Sequence, residues 1–272
     1  MTGRGAPVAV LRTLNDDSHV ETRISQYKSL ENDKFEGIAK NFVIGKINGQ
    51  NQVLKKYGLE PIDDSVFERI NETECSNHLT FRRKLTGFEG KSTNQYYEQI
   101  FQLFDKKYRP NGRRSFKAYD GLNNILNLGY RVASWKVHIA LLKAKLEPYL
   151  GYLHGLQFGK PSLVCDFLEL YRYLIDNFII DYTTKVKKSD FIIRDEVYSP
   201  NRRGKRQYLD DEMTNDFLNG LNSFFTSKVN IPRIRYGESQ EVETLISEEA
   251  LLLAKYLRNE NTSWVPRIVS VP

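Results

Sequence analysis

Residues Gly151–Arg172, GYLHGLQFGKPSLVCDFLELYR, decide how the rest of the chain is read. Pro161 and Ser162 suit the first turn of a helix, and the run after them is apolar apart from Asp166 and Glu169. Three residues apart, those two carboxylates share one helix face. An acid among buried residues is costly unless something pairs with it. His154, one of only four histidines, sits just before a turn marked by Gly155 and Gly159. Two readings stand on these residues: a satisfied polar pair in a core, or a cation held between them.

Outward from that stretch, apolar positions recur with helical period. Ile24, Tyr27, Leu30, Ile38, Phe42 and Ile47 predict helices from Glu21 to about Tyr57, broken near Glu31–Asp33. A second helical segment is expected to begin after TGFEG and to run through Tyr96, Tyr97, Ile100, Phe101 and Phe104. Leu122–Leu146 reads as one long apolar helix, PSLVCDFLELYRYLIDNFII as another, and two more are expected around Asp211–Val229 and Glu238–Arg258. Strand patterning is sparse: APVAVLR at the start, SDFIIRDEVY, and the C-terminal RIVSV. The expected class is mainly α, with short β pieces at the edges.

Composition narrows the possible functions. The chain has 272 residues, 12% of them aromatic, which is enough apolar mass for a sizeable core. A formal charge of +6 favours an anionic partner. Cys75 and Cys165 are far apart and form no CxxC motif, so disulfides are not expected to organise the fold. No apolar run reaches the roughly 18–20 residues of a membrane span, and MTGRGAPVAV lacks the apolar stretch of a secretory signal. A soluble protein of a reducing cytoplasm is expected.

His154 beside Asp166 and Glu169 is a plausible site for Mn²⁺ or Mg²⁺: oxygen ligands suit hard cations, and an imidazole tilts the choice toward Mn²⁺. Glu89, flanked by glycines in TGFEGKS and expected at a helix start, is the candidate for a further acid. On spacing alone the bland alternative also stands, because lone histidines are often structural and acid pairs often lie on solvated faces.

The elements GFEGKSTNQYYEQIF, DGLNNILNLGYRVA, LEPYLGYLHGLQFGKPSLVCDFLELYR and the late YL of GKRQYL occur in the order of one family. They resemble the CRISPR-associated endonuclease/integrase family Cas-one, which inserts new spacers. RISQYKSL and GKINGQ resemble its linker helix, so the likeness runs from about Arg23 to about Leu209. The resemblance implies that Glu89, His154 and Glu169 are divalent-metal ligands, with Asp166 contacting the metal, its waters or DNA in a supporting catalytic role. Asn123 falls on a family motif, with a structural and a catalytic role both open, and Tyr130 reads as a core tyrosine.

The implied activity is metal-dependent cutting and joining of DNA in CRISPR adaptation, with branched and double-stranded DNA and the small Cas-two protein as partners. A homodimer, a prokaryotic cytoplasm and no membrane partner follow from the same likeness. The family begins with a β-rich dimerisation domain, and APVAVLR resembles its last strand. Residues 1–20 are therefore expected to be a remnant of that domain and linker, and residues 21–272 the α-helical catalytic domain.

The loop KKYRPNGRRSFK sets Lys106, Lys107, Arg109, Arg113, Arg114 and Lys117 among Tyr108 and Phe116. Such a mixture can bind phosphates and stack on splayed bases, or can simply be a solvated loop. TKVKKSD, NRRGKRQ and SKVNIPRIRYG are weaker clusters of the same kind. Two alternative functions stay open: a transposon-type integrase of the same family, and a helical DNA-binding protein whose acids and histidine are structural.

Overall fold

The computed structural model describes residues 20–199, 202–230 and 239–271. Two helices, α1 (Val20–Lys28) and α2 (Lys34–Lys56), lie either side of the predicted break. A short α3 (Ser65–Asn71) precedes α4 (His78–Ile100), which a 3₁₀ turn at Phe101–Leu103 ends. After the basic loop come α5 (Gly121–Lys143), α6 (Ser162–Glu169) and α7 (Arg172–Thr183). A β1 (Phe191–Ser199) and β2 (Arg202–Leu209) hairpin leads to α8 (Asp211–Phe225). Two three-residue strands, β3 (Lys228–Asn230) and β4 (Ser239–Glu241), pair antiparallel before α9 (Val242–Leu257). The mainly α class holds, and APVAVLR lies outside the described residues.

Helix α6 is the centre of the body. Seven of its eight residues are buried, because α2 packs on one side of it and α5 on the other. That explains why it is buried nearly all round, its two acids included. Gly45 and Gly49 let α2 come this close: a Cβ would stand 2.6 Å from Leu170 at the first and 2.4 Å from the Tyr173 ring at the second. The last residues strap the far side, where Trp264 donates to the buried Glu249 at 2.7 Å and Tyr173 bonds the backbone of Val269.

Three sequence expectations need correction. The helix read as continuous over Pro161–Ile180 breaks at Leu170–Tyr171, where i→i−3 hydrogen bonds to Phe167 and Leu168 tighten the turn and Tyr171 leaves helical geometry. No proline or glycine marks this break; the change of direction buries the Tyr171 ring against the core. Helix α4 starts well before TGFEG. Asn77 caps it by accepting from Leu79 and Thr80, so Glu89 is mid-helix and Gly87 and Gly90 are ordinary helical positions. RIVSV forms no strand; Val269 instead docks on Tyr173. Residues 202–207 of the basic run NRRGKRQ lie in β2, whose backbone is paired by β1.

Candidate active site

Three helices bring charge to one point. Lys46 is on the buried face of α2, one residue after Gly45, and its side chain is only 4% exposed. Its Nζ pairs with Glu89 Oε1 from α4 and lies 2.7 Å from Glu169 Oε2 at the end of α6. Glu169 Oε1 is 3.1 Å from Arg172 at the start of α7, an approach that the Leu170–Tyr171 break makes possible. Burial works against the Lys46 ammonium, yet Glu169 and Glu89 outweigh it and raise its pKa above the usual lysine value. Burial alone would raise Glu169; Arg172 and Lys46 overcome it and push the carboxyl down to about 2. Glu169 is held as a carboxylate by these neighbouring cations.

Asp166 plays a different part. It is completely buried, and its two oxygens accept the backbone N–H groups of Tyr152 at 2.6 Å, Leu153 at 3.0 Å and His154 at 2.8 Å. Oδ1 also lies 2.6 Å from His154 Nδ1. With both oxygens engaged by donors, Asp166 positions the turn and the imidazole. Its acceptors assign the neutral-ring proton to Nδ1 and leave Nε2 as the free lone pair. Arg82 holds the same turn from outside, donating to the carbonyls of Tyr152 at 2.7 Å and Gly151 at 2.9 Å. His154 opens on a cavity of about 480 Å³ lined by Asn77, His78, Leu79, Arg82 and Arg83.

Beneath the acids lies a buried tyrosine cluster. Asp176 accepts from Tyr96 at 3.0 Å and from Tyr130, and Tyr130 bonds Tyr97 at 2.5 Å. Arg172 lies over the Tyr130 ring, and Arg113 over both Tyr97 and Tyr130. Tyr130 is thus a core tyrosine, as its sequence context suggests. Asn123 is fully buried and structural: it donates to Gly112 and accepts from Arg113 and the Arg114 backbone, which fixes the loop to the start of α5.

The basic loop divides. Arg109 donates to Gln102 and to the Phe104 carbonyl, closing the end of α4, and Arg113 is committed to Asn123 at 3.0 Å and Asn127 at 2.6 Å. Lys107 pairs with Asp105 at 3.2 Å on the surface. Lys106 and Arg114 are exposed, and Lys117 lies over the exposed Phe116 ring.

A divalent cation fits these donors. Glu89 and Glu169 converge on a point where an ammonium already sits, Lys46 is the neighbour that Glu169 Oε2 meets there, and His154 turns Nδ1 to Asp166, leaving Nε2. Among the described residues, His154 and the two acids are not drawn together as a ready three-donor cluster. Lys46 and Arg172 were absent from the sequence reading of the site. A lysine on the apolar stripe Phe42, Gly45, Lys46, Gly49 was the available signal, since a buried lysine demands a partner.

These features define an α-helical protein in which acids of α4 and α6 meet a buried lysine of α2, with a clamped histidine on the turn before α6. The chain belongs to the family described as CRISPR associated protein Cas1, whose model matches residues 1–214. A CRISPR-associated endonuclease Cas1 of Korarchaeum cryptofilum is 29% identical over 209 residues, covering 70% of this chain and 61% of that protein. One from Thermus thermophilus is 28% identical over 170 residues, covering 62% and 50%. The chain thus spans between half and about three-fifths of the length of these relatives. Among solved structures, a casposase bound to its integration product aligns with TM-score 0.77 at 20% identity, covering 96% of this chain and 71% of that one. A Cas1 protein from Thermotoga maritima aligns with TM-score 0.75 at 21% identity, covering 96% and 80%. Both likenesses are of fold. No helix among the described residues is long and apolar enough to cross a membrane.

Proposed function

We propose that this chain is a divalent-metal-dependent DNA endonuclease and integrase of CRISPR adaptation, joining spacer DNA to the array by attack of a 3′-hydroxyl on a phosphodiester. The observation that carries this reading is the convergence of Glu89 and Glu169 on one cation position, with His154 oriented nearby by Asp166. Glu89, Glu169 and His154 Nε2 would hold Mn²⁺ or Mg²⁺, which when bound neutralises phosphate charge and activates a water or hydroxyl nucleophile. Asp166 keeps the imidazole in the tautomer that can serve as a ligand, and Arg172 fixes the rotamer of Glu169. Lys106, Arg114 and Lys117 are the loop cations that would meet DNA phosphates. Support for DNA and the Cas2 protein as partners comes from family membership and from fold likeness to a Cas6-RT-Cas1–Cas2 complex, with TM-score 0.70 at 19% identity.

The test is strand transfer by the purified chain. A short duplex with free 3′-hydroxyls is incubated with supercoiled plasmid in Mn²⁺, Mg²⁺ or EDTA, alongside His154→Ala. Metal-dependent joining that the mutation abolishes is expected; DNA binding without joining would favour a non-catalytic binding protein instead. The casposase likeness in fold supports a second reading, a transposon-type integrase. Dependence on Cas2 and on the sequence of the DNA ends separates the two.

A further inference from the structure

Lys46 Nζ occupies the point that Glu89 Oε1 and Glu169 Oε2 both face. Glu169 Oε1 is already taken by Arg172, so Oε2 is the oxygen that Glu169 can offer to anything else. We infer that Lys46 is the resident counter-ion of this site, and that a divalent cation reaches Glu169 Oε2 and Glu89 Oε1 only by displacing its ammonium. Metal affinity is then set by competition with this lysine. The inference rests on the metal-site reading above and deepens it.

Three observations support displacement over simple structural pairing. The ammonium is held by two carboxylate oxygens, Glu169 Oε2 at 2.7 Å and Glu89 Oε1, and these are hard oxygen donors that a divalent cation also takes. Lysine carries its charge on a flexible four-carbon stem, and rotation can move Nζ away without moving α2. The glycines at 45 and 49 seat the α2 backbone against Leu170 and Tyr173, so the side chain can move while α2 stays docked. Lys46 and Arg172 together balance Glu89 and Glu169. A metal that enters while Lys46 stays close therefore leaves the pocket positive, the sign that receives a phosphodiester.

The experiment is calorimetric titration of MnCl₂ into the full chain, as wild type, as Lys46→Met and as Lys46→Met with Glu89→Gln, with melting followed in EDTA and in Mn²⁺. Lys46→Met is expected to bind Mn²⁺ about tenfold or more tighter than wild type, and its melting temperature is expected to rise more steeply with Mn²⁺. Equal or weaker binding by folded Lys46→Met, with wild type binding normally, overturns the inference and leaves the metal site standing. Absence of Mn²⁺ binding by both overturns the two together. If Lys46→Met folds only when Mn²⁺ is present, the metal has replaced the ammonium, as inferred. If it stays unfolded in Mn²⁺ while the double variant folds, the lysine is a structural counter-ion that metal cannot replace, and the inference fails.

Discussion

His154 Nδ1 lies 2.6 Å from Asp166 Oδ1, and the same buried carboxylate gathers three consecutive backbone N–H groups, from Tyr152 to His154. One side chain thus shapes the turn and orients the ring it presents. Because every neighbour donates, replacing an oxygen by an amide NH₂ sets donor against donor. Asp166→Asn is expected to lower stability by about 2–4 kcal/mol, measured by urea unfolding. Strand transfer is expected to fall further than the unfolded fraction explains. Unchanged stability would show that the carboxylate is not the clamp.

Glu169 shares Arg172 and Lys46 in a nearly dry site. Truncation to Ala takes a partner from the buried Lys46 and from the partly buried Arg172, at about 3–5 kcal/mol. Glu169→Gln keeps the volume and an acceptor, so it is expected to cost about half as much while abolishing metal-dependent joining. Comparing the two by melting and by strand transfer separates a lost ligand from a lost fold. Joining by Glu169→Gln at wild-type rate would remove Glu169 from the ligand set.

Asp176 titrates the opposite way from Glu169. Burial raises it to about 6, against the hydrogen bonds of Tyr130 and Tyr96 and the charges of Arg113 and Arg172. The unfolded chain releases this proton near pH 4, so between about pH 4 and 6 the folded state binds more protons and stability falls as pH rises. Asp176→Asn is expected to remove a decline of about 2–3 kcal/mol across that window and to leave the slope below pH 4 in place. Urea midpoints measured from pH 3 to 7 check this. An identical decline in the variant would place the titrating group elsewhere.

Within the basic loop, exposed and committed cations are expected to behave differently. Lys106→Ala and Arg114→Ala are each expected to weaken DNA binding evenly across sequences and to reduce the salt slope by about 1, without change in melting. Arg113→Ala breaks bonds to Asn123 and Asn127 and uncovers two tyrosine rings. It is expected to destabilise the fold by about 1–3 kcal/mol. If Arg113→Ala leaves stability intact and removes DNA binding, the loop reading is reversed.

Local patterning made much of the molecule legible in advance. Helical period located α1, α2 and α5 and the break between the first two, since those helices each bury one face and turn residues separate them. Motif order nominated Glu89, His154 and Glu169 as ligand candidates, and the fold brings Glu89 and Glu169 to one lysine. Three dockings were not legible. The Leu170–Tyr171 break carries no glycine or proline; it exists because Tyr171 gains burial by turning inward. Asp166 and Glu169 share one helix yet have separate roles, one satisfied by backbone donors and the other by cations from α2 and α7. Lys46 reaches the acids only because Gly45 and Gly49 let α2 approach α6 and α7. Sequence determined which residues bear charge and which faces are apolar. Tertiary structure decided which charges meet, because pairing energy depends on distance and burial, and both are set by how helices dock.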